Sequence, residues 1–578
     1  MALLLRGGTL FDGSPQSRGG ARADVLVEDG VVTAIGAGLP LPPGAREVDA
    51  RGRWVCPGFV DLHTHYDAEV ELAPALSESL RHGVTTVVLG SCGLSMAMGR
   101  PVDLADMFCR VEGIPRSHVL PLLERVKDWD SPAAYLDHLR GLALGPNVAA
   151  LLGHSALRVA AMGIDRALSA ELRPTDGEHA RMRALLEEAL DAGYIGLSIN
   201  TLPWDKMDGV AHRSKPTPSV FATWAEYRRL MTPLRARGRV LQGVPNLVTK
   251  VNILLFLLAS AGIGRRTLKT TIIALMDPKA DRLAPRLAAL AARLFNGLLR
   301  ADLRFQALPN PFDVYTDGLE VPVMEEIGAG TLALHEQDPA RRAALLRDPA
   351  FRARFRRDWM RRWAGRAWHR DLDEAAIIAC PEPGVAGQTF GALARARGVD
   401  PIDLFLDLQA QWGEALRWRS VVANDQPEVL EWILTRPDIL VGFSDAGAHL
   451  RNMAYYNFPL RMLWRVKEAA AAGRPFMTVG EAVHRLTGEL ADWLGLDAGR
   501  VAVGRRADLV LIDPAGLDAG VEALHEAPTP GLPELRRLVR RNDAAVPMVL
   551  VGGRVAWEAG APAADLGARA FGQVLGAA

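Results

Sequence analysis

Residues 56–69 read CPGFVDLHTHYDAE, and this stretch decides the fold. An apolar run ends in Phe59-Val60-Asp61, and His63 and His65 follow at once. In extended backbone, residues i and i+2 project to the same side, so both imidazoles face one space. Side chains projected just beyond a buried strand are expected at the C-terminal mouth of a parallel barrel. Two imidazoles aimed together there make a ligand pair for a borderline divalent ion such as Zn²⁺. A bare His-x-His is a weak pattern, because exposed histidine pairs are common. Its place after PGFVD and before a second candidate strand gives it weight.

Outward from this stretch, apolar runs alternate with amphipathic helical segments. Candidate buried strands are Val55–Val60, Val84–Gly90, Val148–Gly153, Tyr194–Ile199, Arg239–Gly243, Leu268–Leu275, Leu303–Leu308 and Ile439–Phe443. A representative helix, DGEHARMRALLEEALDAG, sets Leu185, Leu186, Ala189 and Leu190 on one face. Eight such units over residues 56–490 predict an α/β fold, a TIM-like (β/α)8 barrel with a helical insertion at about 310–438. Residues 1–55 and 491–578 have a different texture. LLLRGGTLFDG and ADVLVEDGVVTAIG near the start, and GRVAVGRRADLVLID and AAVPMVLVGGRVAWEAG near the end, are short β-like runs cut by glycine turns. They predict one composite β-sandwich domain formed by both termini.

Length and charge set the outer bounds. The chain has 578 residues, is 49% hydrophobic and 23% charged, and can bury a large core, which excludes global disorder. Sixty-seven basic and 67 acidic residues cancel, excluding a nucleic-acid binder that relies on overall basicity. Four cysteines are too few for a disulfide framework. MALLLRGGTLFDG breaks at Arg6-Gly7-Gly8 and lacks the pattern of a signal peptide. VNILLFLLASAGIG, from Val251, is too short to span a bilayer. A cytoplasmic protein is expected, with a small-molecule partner and neither nucleic acid nor membrane; self-association is left open.

The neutral total hides a local excess. From Arg341 to Arg370 there are eleven arginines and two aspartates. Arg352, Arg356, Arg357, Arg361 and Arg362 interleave with Phe351, Phe355, Trp359 and Trp363 at helical spacing. This reads as an amphipathic helix with packed aromatics, or as an anion-attracting lid over the site.

Two further residues stand at strand ends. Cys92, in VTTVVLGSCGLSM, is placed to bind a metal as thiolate, or else is a small buried hydrophobe. Asp445, in ILVGFSDAGAHLRNM, is placed to accept a proton from water, pass it to a leaving amine and touch the metal. His449 binds substrate, orients a partner or caps the next helix.

With these residues the chain resembles the metal-dependent amidohydrolase superfamily, and most of all its D-aminoacylase, or N-acyl-D-amino-acid deacylase, branch. PGFVDLHTHYD, GVTTVVLGSCGLS, NVAALLGHSALR, the segment ending SDAGAH, and GRVAVGRRADLVLID carry the resemblance in that order. It spans nearly the whole chain. It implies a (β/α)8 barrel with a sandwich-like domain from both ends, and hydrolysis of linear amides by water activated on one or two divalent ions, usually zinc. It implies His63 and His65 as metal ligands, Cys92 as the metal-binding cysteine and Asp445 as the catalytic aspartate. Hydrolysis of a cyclic amide is the neighbouring alternative, and a catalytically silent binding protein the distant one.

One departure stands out. The branch brings two more histidine ligands, after the fifth and sixth strands, where this chain reads RGRVLQGVPN and LKTTIIALMDPKA. Gln242, Asn246 and Thr270 are poor zinc ligands, which leaves Asp277 or a lysine as contributors from these strands. His154 and His212 are the nearest substitute histidines, each also readable as a packing residue. Three outcomes follow: a mononuclear centre of His63, His65, Cys92 and Asp445, a ligand moved to another strand, or loss of hydrolysis. Arg158 and Arg213 are candidate clamps for a substrate carboxylate, or ordinary loop salt-bridge partners. Trp359, Trp363 and Trp368 are candidates to shape an acyl pocket.

Overall fold

A computed structural model describes residues 2–246, 251–361 and 366–577. Eight parallel strands pair in sequence order: Phe59–Asp61, Val84–Leu89, Asn147–Gly153, Gly196–Asn200, Val240–Val244, Lys269–Ile272, Asp302–Ala307 and Ile439–Val441. Short strands His63–Thr64 and Phe443–Ala446 continue the first and the eighth, and Phe443 pairs with His63 to close the ring. Most of these strands are buried on both faces, so they read as unbroken apolar runs rather than alternating ones.

The first expected strand, Val55–Val60, is in fact two. Trp54–Pro57 pairs antiparallel with Leu509–Ile512 in the terminal sheet, while Phe59–Asp61 begins the barrel. The switch falls at Gly58, where an added Cβ would lie 2.0 Å from Thr85 Oγ1. No side chain fits there, so this glycine lets the chain pass between the two sheets.

Strands from both ends form one nine-stranded sheet. It wraps a single apolar core that includes Leu3, Leu5, Val25, Val27, Val55, Leu509, Leu511 and Leu550. Both termini thus build one sheet domain, as their shared texture led one to expect. The stretch near Leu575 then returns to the barrel, where Leu575 donates its N–H to Val148 and packs beneath Val60, Val88 and Leu440.

The helical insertion between the seventh and eighth strands also carries a small sheet. Phe312–Asp317, Arg417–Ala423 and Ala375–Ala379 form a three-stranded antiparallel sheet. Against it stack Phe355, Trp359, Trp368, Phe405 and Trp418, with Trp359 and Trp368 5.1 Å apart edge to face. Trp359 and Trp368 therefore fill the insertion's own core and do not shape an acyl pocket; Trp363 and Arg362 lie outside the described residues. Arg356 reaches Asp400 at 2.9 Å and Asp403 at 3.0 Å, and Arg352 pairs with Asp407. The arginine excess is mostly a paired outer face.

A late hairpin, Leu524–Thr529 with Leu532–Arg540, is pinned to the barrel by arginine. Arg537 donates to both oxygens of buried Glu69 at 2.9 and 3.0 Å, and Arg540 reaches Asp313 at 2.7 Å. The planar guanidinium suits these buried two-point contacts, for which a lysine would be a poor substitute. Among the described residues, no helix is long and apolar enough to cross a membrane.

Candidate metal centre and active site

His63, His65 and Cys92 converge at the barrel mouth. One ligand atom from each lies within 4.8 Å of the others, and all three side chains are buried. Cys92 Sγ is 3.3 Å from His63 Nε2. Asp445 Oδ1 stands 3.6 Å from His63 Nε2 and 3.4 Å from His65 Nε2. The four residues come from the ends of the first, second and eighth strands, as their positions in the sequence predicted.

Two of the four, and His449 beyond them, have an unusual backbone conformation. Cys92, Asp445 and His449 all have positive φ, at 55°, 59° and 50°. Non-glycine residues adopt this region rarely, and it recurs where a site dictates side-chain direction. Gly447, between Asp445 and His449, leaves no room for a Cβ, which would lie 2.4 Å from the His65 carbonyl oxygen. The His65 N–H donates to Ala446 at 2.7 Å, so the two ligand-bearing loops are stitched together.

Three buried residues support the donors. Gln306, at the end of the seventh strand, places Oε1 2.7 Å from His63 Nδ1. It thereby fixes the tautomer whose Nε2 lone pair is free for a ligand. Gln242 Oε1 accepts the Cys92 N–H at 3.0 Å. Asp61 accepts the His63 N–H at 3.3 Å and is bonded by Ser444 from the eighth strand. In the sequence the signal for Gln306 and Asp61 is only that each is a polar residue near the end of an apolar strand. Gln242 is a poor metal ligand, and its carbonyl is occupied by the Cys92 N–H.

Burial dominates the electrostatics. It lowers the His63 imidazole to about 4 and pushes the Cys92 thiol well up, the latter aided by Asp205, Asp445 and Asp67. It also raises Asp445 to about 7, with Asp205 contributing. Two imidazoles and a thiol gathered out of water, one imidazole already oriented by a carbonyl, are the donor set of a tetrahedral zinc site with an open fourth position. The residues fit a divalent ion. No histidine stands on the fifth or sixth strand, and Thr270 and Thr271 there are buried. Asp277 is hydrogen-bonded to Arg282 and Asn424 instead.

His449, four residues past Asp445, lines a cavity of about 410 Å³ with Trp204, Asp205, Lys206 and Glu325. It is near enough to His65 to act on its charge. The other candidates lie elsewhere. His212 pairs with Asp165 at 3.1 Å. Arg213 is retained by its own loop, donating to the Gly209 carbonyl at 2.9 Å with Asp208 at 3.6 Å. It is not presented as a clamp.

His154 and Arg158 both turn onto Glu226, 3.2 Å from His154 Nε2 and bonded by Arg158. Arg158 is fully buried and also donates to the Ala167 carbonyl, so it forms a structural ion pair and is unavailable to substrate. Burial alone would raise the Glu226 carboxyl, but contact with His154 and the Arg158 guanidinium holds it at about 2. Its contribution to stability is complete above its ordinary 4.5 and is lost as pH falls through about 2. Glu226→Gln is expected to cost about 3 kcal/mol at neutral pH, with the deficit shrinking in that acid window. Denaturant unfolding at several pH values measures it; equal acid slopes in both proteins would remove the role.

A closed parallel barrel with a His-x-His pair and a cysteine at its mouth agrees with the amidohydrolase resemblance read in the sequence. Residues 46–226 match the amidohydrolase family model. Over 566 residues the chain is 47% identical to an uncharacterised protein of Mycobacterium tuberculosis, covering 96% of this chain and 92% of that one. N-acyl-D-aspartate deacylase of Alcaligenes xylosoxydans xylosoxydans is 38% identical over 209 residues, 34% of this chain and 36% of the relative. The solved structure of N-acyl-D-glutamate deacylase from Bordetella bronchiseptica, complexed with zinc and a phosphonate inhibitor, has a TM-score of 0.64. It is 24% identical, with 100% of this chain and 99% of that one covered. Residues 46–226 thus carry the amidohydrolase match, and over nearly its whole length the chain is a relative of the mycobacterial protein.

Proposed function

We propose that this chain hydrolyses the amide bond of small N-acylated amino acids, those of the D series above all, or of related linear amides. The observation that carries the reading is the convergence of His63, His65 and Cys92 with Asp445 at 3.4–3.6 Å. The similarity to an N-acyl-D-aspartate deacylase supports the substrate class. A divalent ion in this donor set, zinc by its chemistry, would supply Lewis acidity to the scissile carbonyl and to water. Three ligands of one cluster favour a single ion.

The chain's own groups do the rest. His63, locked by Gln306, and His65 present their Nε2 atoms to one point. Asp445 Oδ1 takes the proton of the attacking water and returns it to the leaving nitrogen, so acid and amine depart with protons balanced. His449 lies on the substrate side of the same loop.

Lys206 holds the substrate's free carboxylate. It lines the cavity, yet its ammonium makes no hydrogen bond or ion pair among the described residues, while Arg451 there is engaged by Asp317 at 2.9 Å. Burial draws the Lys206 ammonium below its ordinary value against the pull of Glu325 and Asp205. Lys206→Met is expected to raise KM about 10–100-fold with kcat little changed, as loss of a charged hydrogen bond does. An N-acyl amine lacking the carboxylate should show no change. Unaltered KM would take the role from Lys206.

The reading is tested by measuring bound metal and screening N-acyl D- and L-amino acids before and after zinc reconstitution. Folded protein that binds no zinc, or binds it and stays inert across the screen, would overturn it. That result would leave a silent binding protein.

A further inference from the structure

The Ala284–Leu298 helix is packed the wrong way round for a solvated protein. It buries Pro285, Ala289 and Ala292 against the barrel and turns its leucines outward. Leu283, Leu287, Leu290, Leu294 and Leu298 are 48–73% exposed and follow one another at helical spacing on one face. An ordinary surface helix does the reverse. The neighbouring Val251–Ser260 helix packs beside it and adds Val251, Leu254 and Leu258, at 45–58% exposure. Together these eight side chains present on the order of 800 Å² of apolar surface, above the roughly 300–600 Å² of the largest patch on an ordinary monomer.

Within residues 251–300 the exposed charges have one sign. Arg265, Arg266, Arg286, Arg293 and Arg300 are exposed there, and residues 251–300 contain no exposed aspartate or glutamate. The side chains of Arg286, Arg293 and Arg300 make no hydrogen bond or ion pair among the described residues. The only two acids of the segment are Asp277, buried against Arg282, and the half-buried Asp281. A second copy docked symmetrically on this face would set the arginines of these two helices against their own copies, with no exposed acid on either helix to answer them. An anionic lipid surface answers both features at once, apolar side chains entering the acyl boundary and arginines meeting the headgroups.

We propose that the paired helices 251–260 and 284–298 form a monotopic docking face for anionic phospholipid membranes. The inference stands apart from the reaction. It also refines the sequence expectation of no membrane partner: the apolar run from Val251 is too short to cross a bilayer, but it suffices to lie on one.

Flotation of the full chain with vesicles tests it. Wild-type protein is expected to float with phosphatidylglycerol-containing vesicles, not with pure phosphatidylcholine, and to bind less in high salt. Leu290→Glu with Leu294→Glu should lower vesicle binding at least tenfold with an unchanged melting temperature, since both side chains are exposed. Arg286→Glu with Arg293→Glu should weaken binding to the anionic vesicles alone. Three results would overturn the proposal. They are wild-type protein that stays with the soluble fraction at every lipid concentration, leucine variants that bind as wild type does, and a wild-type dimer in sedimentation that the leucine variants convert to monomer. The last would assign the face to a second copy of the chain.

Discussion

Asp445→Asn is expected to lower kcat by about 10³–10⁴-fold while leaving bound metal close to the wild-type amount. The substitution keeps shape and removes only the capacity to carry a proton. Asparagine accepts the left-handed backbone at this position, φ 59°, as readily as aspartate does. Gly447 and the Ala446–His65 hydrogen bond continue to hold the loop. The cluster of His63, His65 and Cys92 does not include Asp445 and stays complete. Steady-state kinetics and elemental analysis on the same preparation separate the two effects. Activity within tenfold of wild type would end the assignment of proton transfer to Asp445, and metal loss would make it a ligand.

His65→Ala is expected to weaken zinc binding by at least about 10³-fold and to abolish activity with it. This exceeds the 10–100-fold typical of losing a partner that merely orients a ligand. Two donors remain, His63 Nε2 and Cys92 Sγ, 3.3 Å apart, and two cannot complete a tetrahedral set. The fold should tolerate the change, because His65 Nδ1 has no hydrogen-bond partner among the described residues and alanine strands no bonded group. Gln306→Ala supplies the scale: it should cost 10–100-fold through the His63 ring alone. Competition against a coloured chelator reads both affinities. A wild-type Kd in His65→Ala would remove this histidine from the centre.

Much of this architecture is legible in sequence because barrel strands are buried on both faces and end abruptly. His63, His65, Cys92 and Asp445 each follow such an end, and the structure brings all four together. His154 and Arg158 follow one too, yet they sit within the helix His154–Met162, and its turn carries both onto Glu226, 68 residues from Arg158. No local pattern reveals that partner. Gly58 was invisible for a similar reason: the run Val55–Val60 has one texture, and only the close approach of Thr85 divides it. Gln306 reads as a flaw in an apolar strand until the His63 ring is seen against it. The leucines of 284–298 show helical periodicity in the sequence, but periodicity alone does not say which side of a helix meets the core.

Glu69 follows the histidine pair in the same loop, and its carboxylate waits on Arg537, 468 residues further along. On the ribosome that loop is among the first parts of the barrel to emerge and among the last to be pinned. Until the late hairpin arrives, Glu69 has no guanidinium to bury against, and desolvating it unpaired is unfavourable. The pairing that buries this carboxylate beside the histidine loop is therefore available only to a chain extended through Arg537.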